Sequence, residues 1–105
     1  MINYELTERG NFTEQDFGEK INEALLSVSK NLKQQKLSFK KVRHTYNQGY
    51  TINNEEFCGT YITIQISNKE RNLGDVNCFL DNKKKFVEIS SSATSIHQTQ
   101  KENFN

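Results

Sequence analysis

Apolar positions along this chain follow two spacings, one helical and the others strand-like. Phe17, Ile21, Ala24, Leu25, Val28 and Leu32 recur at three- and four-residue steps, which puts them on one face of an amphipathic helix over 12–35. The start of that helix is written locally. Thr13 stands where an N-cap belongs, Asp16 takes the acidic place of a capping box, and Phe12 and Phe17 have the spacing of a hydrophobic staple. Glu14, Asp16 and Glu19 suit the positive end of the helix dipole, and Lys30, Lys33 and Lys36 suit its negative end. Gly18 is out of place in the first turns, where it costs about 1 kcal/mol relative to alanine.

The remaining apolar residues alternate. Ile2, Tyr4 and Leu6 predict a short first strand. Over 37–46, Leu37 and Phe39 alternate, Lys40 and Lys41 break the phase, and Val42, His44 and Tyr46 resume on the other parity. A slip of this kind signals a bulge or a solvent-facing edge. Asn47, Gln48 and Gly49 carry turn chemistry, as do Asn53, Asn54, Glu55 and Glu56, with a small β segment over 50–52 between them. The strongest strand runs over 57–67, where Ile62, Ile64 and Ile66 alternate with Tyr61, Thr63 and Gln65. After a polar loop, Val76, Cys78 and Leu80 alternate again, and Asp81, Asn82 and Lys83 turn the chain into a last strand over 86–89.

These elements predict an α+β fold: one N-terminal amphipathic helix packed on a three- to five-stranded antiparallel meander. The isoleucine face is expected under the helix, with Tyr61, Thr63 and Gln65 looking outward. The expected domain covers 1–90, followed by a flexible tail over 91–105 in which Ile96 and Phe104 are the apolar residues.

Composition changes this picture little. A chain of 105 residues is one domain, and although hydrophobic residues make up only 33%, their clustering into periodic segments argues for folding rather than disorder. No stretch approaches the roughly 18 apolar residues of a membrane helix, and the N-terminus lacks the basic-then-apolar order of a signal peptide. A soluble, cytoplasmic protein is the expectation, with no membrane partner. Cys58 and Cys78 are too few for a disulfide framework and are expected as thiols. The bias towards Asn, Lys, Ile, Tyr and Phe, without Pro or Trp, is what AT-rich coding produces, as in a low-GC bacterium or its phage.

Charge is segregated beneath a formal net charge of +1. Residues 1–23 carry Glu5, Glu8, Glu14, Asp16, Glu19 and Glu23 against Arg9 and Lys20. Residues 24–54 contain no acid, while Lys30, Lys33, Lys36, Lys40, Lys41 and Arg43 are all positive and His44 adjoins them. Lys33, Lys36, Lys40, Lys41, Arg43 and His44 therefore form a candidate basic binding face. Glu14, Glu19, Glu23, Glu55 and Glu56 form the acidic alternative.

Catalytic and metal chemistry find little purchase. His44, Cys58, Cys78 and His97 are separated too irregularly for a zinc site. Ser27 and Lys30 match a serine–lysine spacing without its partner motifs, Glu55–Glu56 lack an apolar pocket to raise a pKa, and no glycine-rich phosphate loop is present. The expectation is a non-enzymatic chain without metal or cofactor. Basic residues near Tyr46 and Tyr50 suit phosphate neutralisation and base stacking, so nucleic acid is one candidate partner. Charge complementarity on a small domain suits a protein partner better. The leading expectation is a protein-binding module, such as a phage or mobile-element inhibitor of a host defence nuclease or nucleoprotein complex. A nucleic-acid-binding accessory protein using the basic face is the alternative.

Overall fold

The computed structural model describes residues 4–32 and 36–91. The elements in chain order are β1 (Glu5–Arg9), α1 (Glu14–Leu32), β2 (Ser38–Ile52), β3 (Glu55–Ser67), β4 (Asn72–Asp81) and β5 (Phe86–Ser91). Ile2, Lys33 and residues 92–105, with most of the expected tail, lie outside the described residues.

β2 to β5 form an antiparallel meander, and β1 joins it beside β5, giving the order β1-β5-β4-β3-β2. The chain therefore leaves one edge of the sheet, passes through α1, and returns at the opposite edge. That crossing from the first strand to the fifth is about 19 Å, and α1 with the residues after it makes the connection. The helix begins as its sequence requires. Thr13 N–H donates to Asp16 Oδ2 at 2.9 Å, and Asp16 N–H donates to Thr13 Oγ1 at 3.0 Å, completing a reciprocal capping box.

The predicted stripe packs as expected. Phe17, Ile21, Ala24 and Val28 are buried against Ile66, Val76, Cys78, Leu80, Val87 and Ile89, with Leu25, Leu32, Ile62 and Ile64 partly buried around them. Each large aliphatic or aromatic side chain so covered contributes roughly 1.5–3 kcal/mol. The helix lies over β4 and β5. It leaves the helix side of β2 and the outer part of β3 largely uncovered.

The opposite face of the sheet is covered too, which corrects the expectation that Tyr61 and Thr63 look outward. Thr63 is buried and donates its hydroxyl to Asn77 Oδ1 at 2.9 Å, and Tyr61 is half-buried. Phe79 and Phe86, which share this face, are each only 1% exposed. What covers them is the end of the β2–β3 hairpin. At its tip, Asn53 and Asn54 both take positive φ (50° and 66°), the conformation of a two-residue hairpin turn. Tyr50 stacks on Phe79 at 4.7 Å and Phe57 on Phe86 at 4.1 Å, while Glu55 reaches the far edge to pair with Arg9 at 2.5 Å. The Tyr50 hydroxyl donates to Glu88, and Asn82 Nδ2 donates to Asn47 Oδ1 at 3.0 Å.

The fold-over pivots near Gly59. A β-carbon at Gly59 would stand 2.2 Å from the Leu80 carbonyl oxygen, so only glycine permits this approach of β3 to β4. Asn82 N–H donates to the Cys58 carbonyl beside it at 2.8 Å.

The phase slip at Lys40–Lys41 is a bulge: pairing with β3 shifts between Lys41 and Arg43, leaving Val42 extra. The turn expected over 47–49 is not a turn. β2 continues through it with a second irregularity between Thr45 and Gln48, where Asn47 adopts φ 53°. Asparagine tolerates the left-handed region that bulges and turns share, so local chemistry does not separate the two. The Asp81 turn forms as expected, its carboxylate accepting from the N–H groups of Lys83, Lys85 and Phe86 at 3.3, 2.7 and 2.8 Å.

Candidate interaction surface along the free edge strand

β2 is an edge of the sheet, so one side of its backbone lies along the free margin. From Ser38 to His44 every residue is exposed. Three large apolar side chains stand in or just beyond this run: Phe39 is 49% exposed, Val42 47% and Tyr46 69%. Periodicity alone places Val42 and Tyr46 in an ordinary half-buried strand. They are exposed because the helix does not reach β2 and the first bulge turns Val42 out of the ladder.

Strand alternation divides the predicted basic face, and the bulge sets which cations share a side. Residues directly opposite in an antiparallel pair share a side of the sheet. Lys40 opposes Gln65 and Arg43 opposes Thr63, on the side away from α1. Lys41 opposes Ile64 and His44 opposes Ile62, on the helix side. The basic residues thus line both faces of one edge rather than one plane. Lys36, exposed with φ 58°, precedes the strand, and Lys33 lies outside the described residues.

Local contacts hold these groups. The Arg43 guanidinium lies 4.6 Å from the Tyr61 ring centroid and donates to Gln48 Oε1 at 3.1 Å. Lys41 Nζ lies 3.3 Å from His44 Nδ1, and the His44 and Tyr46 rings tilt together at 4.7 Å. Burial pushes the Tyr61 hydroxyl above its ordinary range, against the opposing pull of Arg43.

Between α1 and the outer strands runs a groove of about 370 Å³. Phe17, Gly18 and Ile21 form its helix wall, and His44, Tyr46 and Ile62 its strand side. Nothing lies within 4 Å of a β-carbon built at Gly18, so the missing side chain leaves open space there. A glycine inside a helical stripe was the one signal in the sequence that pointed to this groove.

The acidic alternative is dispersed. Glu14, Glu19 and Glu23 are exposed on α1, where Glu19 accepts from Gln15 Nε2 at 3.2 Å. Glu55 and Glu56 start β3 at the hairpin tip, and Glu55 is paired with Arg9 on the side of the sheet away from α1. The two groups therefore stand on different parts of the molecule.

Thiol and metal chemistry gain no support from the geometry. Cys78 is buried opposite Ile62, and Cys58 lies four positions earlier on β3, exposed at Gly49. Four strand residues are about 13 Å, which rules out a disulfide without backbone movement. Burial pushes the Cys78 thiol up to about 12. Among the described residues, no group of three or more His, Cys, Asp or Glu is placed to hold a metal ion, and no helix is long and apolar enough to cross a membrane. His97 lies outside the described residues.

Comparison with protein-family models, with curated proteins and with solved structures finds no match to this chain.

Proposed function

We propose that this chain is a protein-binding module that docks its partner along β2, in the manner of an inhibitor or adaptor. The observation that carries this reading is an edge strand on which exposed Phe39, Val42 and Tyr46 interleave with Lys40, Lys41, Arg43 and His44. Exposed apolar side chains supply desolvation energy on contact, and the surrounding cations select an acidic surface and speed encounter. Lysines and bulges on an edge also stop two copies of one strand from pairing. The lysines' part of that protection works by like-charge repulsion, so it does not oppose an acidic partner.

Division of the cations between two sides of the sheet argues against a nucleic-acid track. A phosphate backbone crossing one face meets Lys40 and Arg43 or Lys41 and His44, but not all of them in a plane. Arg43 is also engaged by Tyr61 and Gln48.

The test is affinity capture of the tagged full chain from bacterial lysate, with and without nuclease, alongside a Phe39→Ala/Lys41→Ala/Tyr46→Ala variant. A protein that survives nuclease treatment and is lost from the variant supports the reading. Partners that vanish with nuclease would assign β2 to nucleic acid instead. A protein retained equally by the variant would place the docking surface elsewhere.

A further inference from the structure

The groove beside α1 opens onto the same strand, and it refines the kind of partner that fits. Gly18 weakens the helix, yet no neighbour within this chain needs its missing side chain. The space it leaves continues the groove whose far side is built from His44 and Tyr46 of β2. An extended segment paired to the free edge would lie one strand spacing, about 4.8 Å, beyond those residues. Its side chains would alternate between the two faces. One set would meet Lys40 and Arg43 and the other Lys41 and His44, the two pairs that β2 carries on its two sides. A large ring on the helix side of such a segment reaches across one neighbouring strand.

We infer that β2 pairs with an acidic, extended segment of the partner protein, and that one aromatic side chain of that segment lodges in the groove beside Gly18. This rests on the protein-binding reading and names the chemistry of its ligand. The added strand satisfies the free margin of β2, its acids neutralise cations on both faces, and its aromatic ring covers Ile21 and Ile62. A second copy of this chain does not meet these terms, because its own β2 brings Lys40, Lys41 and Arg43 against themselves.

The probe is a random twelve-residue peptide library displayed against the immobilised full chain. Enriched peptides are expected to carry several Asp or Glu and one aromatic residue. A synthetic peptide of the enriched sequence should slow amide exchange along β2. Gly18→Leu, which fills the groove, should weaken that peptide by roughly tenfold or more. Gly18→Ala, which adds one methyl group, serves as the folding control and should retain binding. Lack of enrichment, enrichment without acids or an aromatic, or indifference to Gly18→Leu would overturn the inference. If Gly18→Leu binds normally while Lys40→Ala/Lys41→Ala/Arg43→Ala does not, the docking strand stands and the groove anchor falls. If neither change matters, the site on β2 falls with it.

Discussion

Phe57 lies flat on Phe86, with ring centroids 4.1 Å apart and planes 7° from parallel. The two residues come from strands with β4 between them in the sheet order. They meet because the β2–β3 hairpin bends over the face opposite the helix. Arg9 caps the stack, its guanidinium 5.7 Å from the Phe57 ring and 5.3 Å from that of Phe86. Truncation of this contact is therefore expected to act on the whole hairpin end. Phe57→Ala should cost about 2–3 kcal/mol in urea unfolding and speed amide exchange over 47–57 more than elsewhere. Uniform acceleration across the sheet would show that the hairpin end does not open on its own.

Gly59 is the tightest point of the bend. Its missing β-carbon would meet backbone atoms of Leu80 and Asp81 at 2.2 and 2.5 Å, and backbone cannot rotate aside as a side chain can. Gly59→Ala should destabilise by at least about 3 kcal/mol. A thermal midpoint within a few degrees of the parent would mean that β3 and β4 separate here at little cost.

The helix start offers two changes of opposite sign. Thr13→Ala removes one half of the capping box and should cost about 1 kcal/mol. Gly18→Ala should add about 0.5–1 kcal/mol, because the new methyl group meets open space and the helix backbone gains rigidity. Chemical denaturation of both variants measures the pair, and a destabilised Gly18→Ala chain would show that the groove is closed in solution.

Alkaline pH should unfold the protein progressively. Burial raises the Cys78 thiol from 9.0 to about 12, and burial together with the Glu88 hydrogen bond raises the Tyr50 hydroxyl above its ordinary 10.0. Both groups keep their protons in the folded chain at pH values where the unfolded chain has lost them. Their contribution is therefore complete below the unfolded pKa and is lost as pH climbs towards the folded one. From about pH 9 the thiol alone should remove stability at about 1.4 kcal/mol per pH unit, with Tyr50 adding to the slope above about pH 10. Cys78→Ala should begin less stable and show a shallower decline between pH 9 and 10. Equal slopes in parent and variant would remove the thiol from the account.

Much of the helix was legible because its signals are local. Thr13 and Asp16 are three residues apart, and their reciprocal hydrogen bonds need only one turn of backbone to form. The Phe17–Val28 stripe follows from the helical period, and the Ile62–Ile66 alternation from the strand period. The break at Lys40–Lys41 was legible as a bulge or a solvent-facing edge for the same reason, since one inserted residue inverts every side chain after it, and β2 is an edge strand with Val42 as the extra residue.

The sequence by itself determined the helix and its cap, the helix-side core and the phase slip near Lys40–Lys41, all set by interactions within a few residues or by a strict period, but not the single strand β2 that runs through the turn expected over 47–49. Only the tertiary structure decided what covers each face. Period two states that Tyr61 and Phe79 lie opposite the isoleucines, but not that the hairpin holding Tyr50 and Phe57 folds across the sheet to bury them. It places Val42 and Tyr46 on a strand, but their exposure depends on how far a helix anchored over β4 and β5 extends. Lys40, Lys41, Arg43 and His44 read as one basic cluster along the chain. Alternation along the strand puts them on two sides of an edge, and the extra residue at Val42 groups Arg43 with Lys40 and His44 with Lys41, a grouping that pairing with β3 decides.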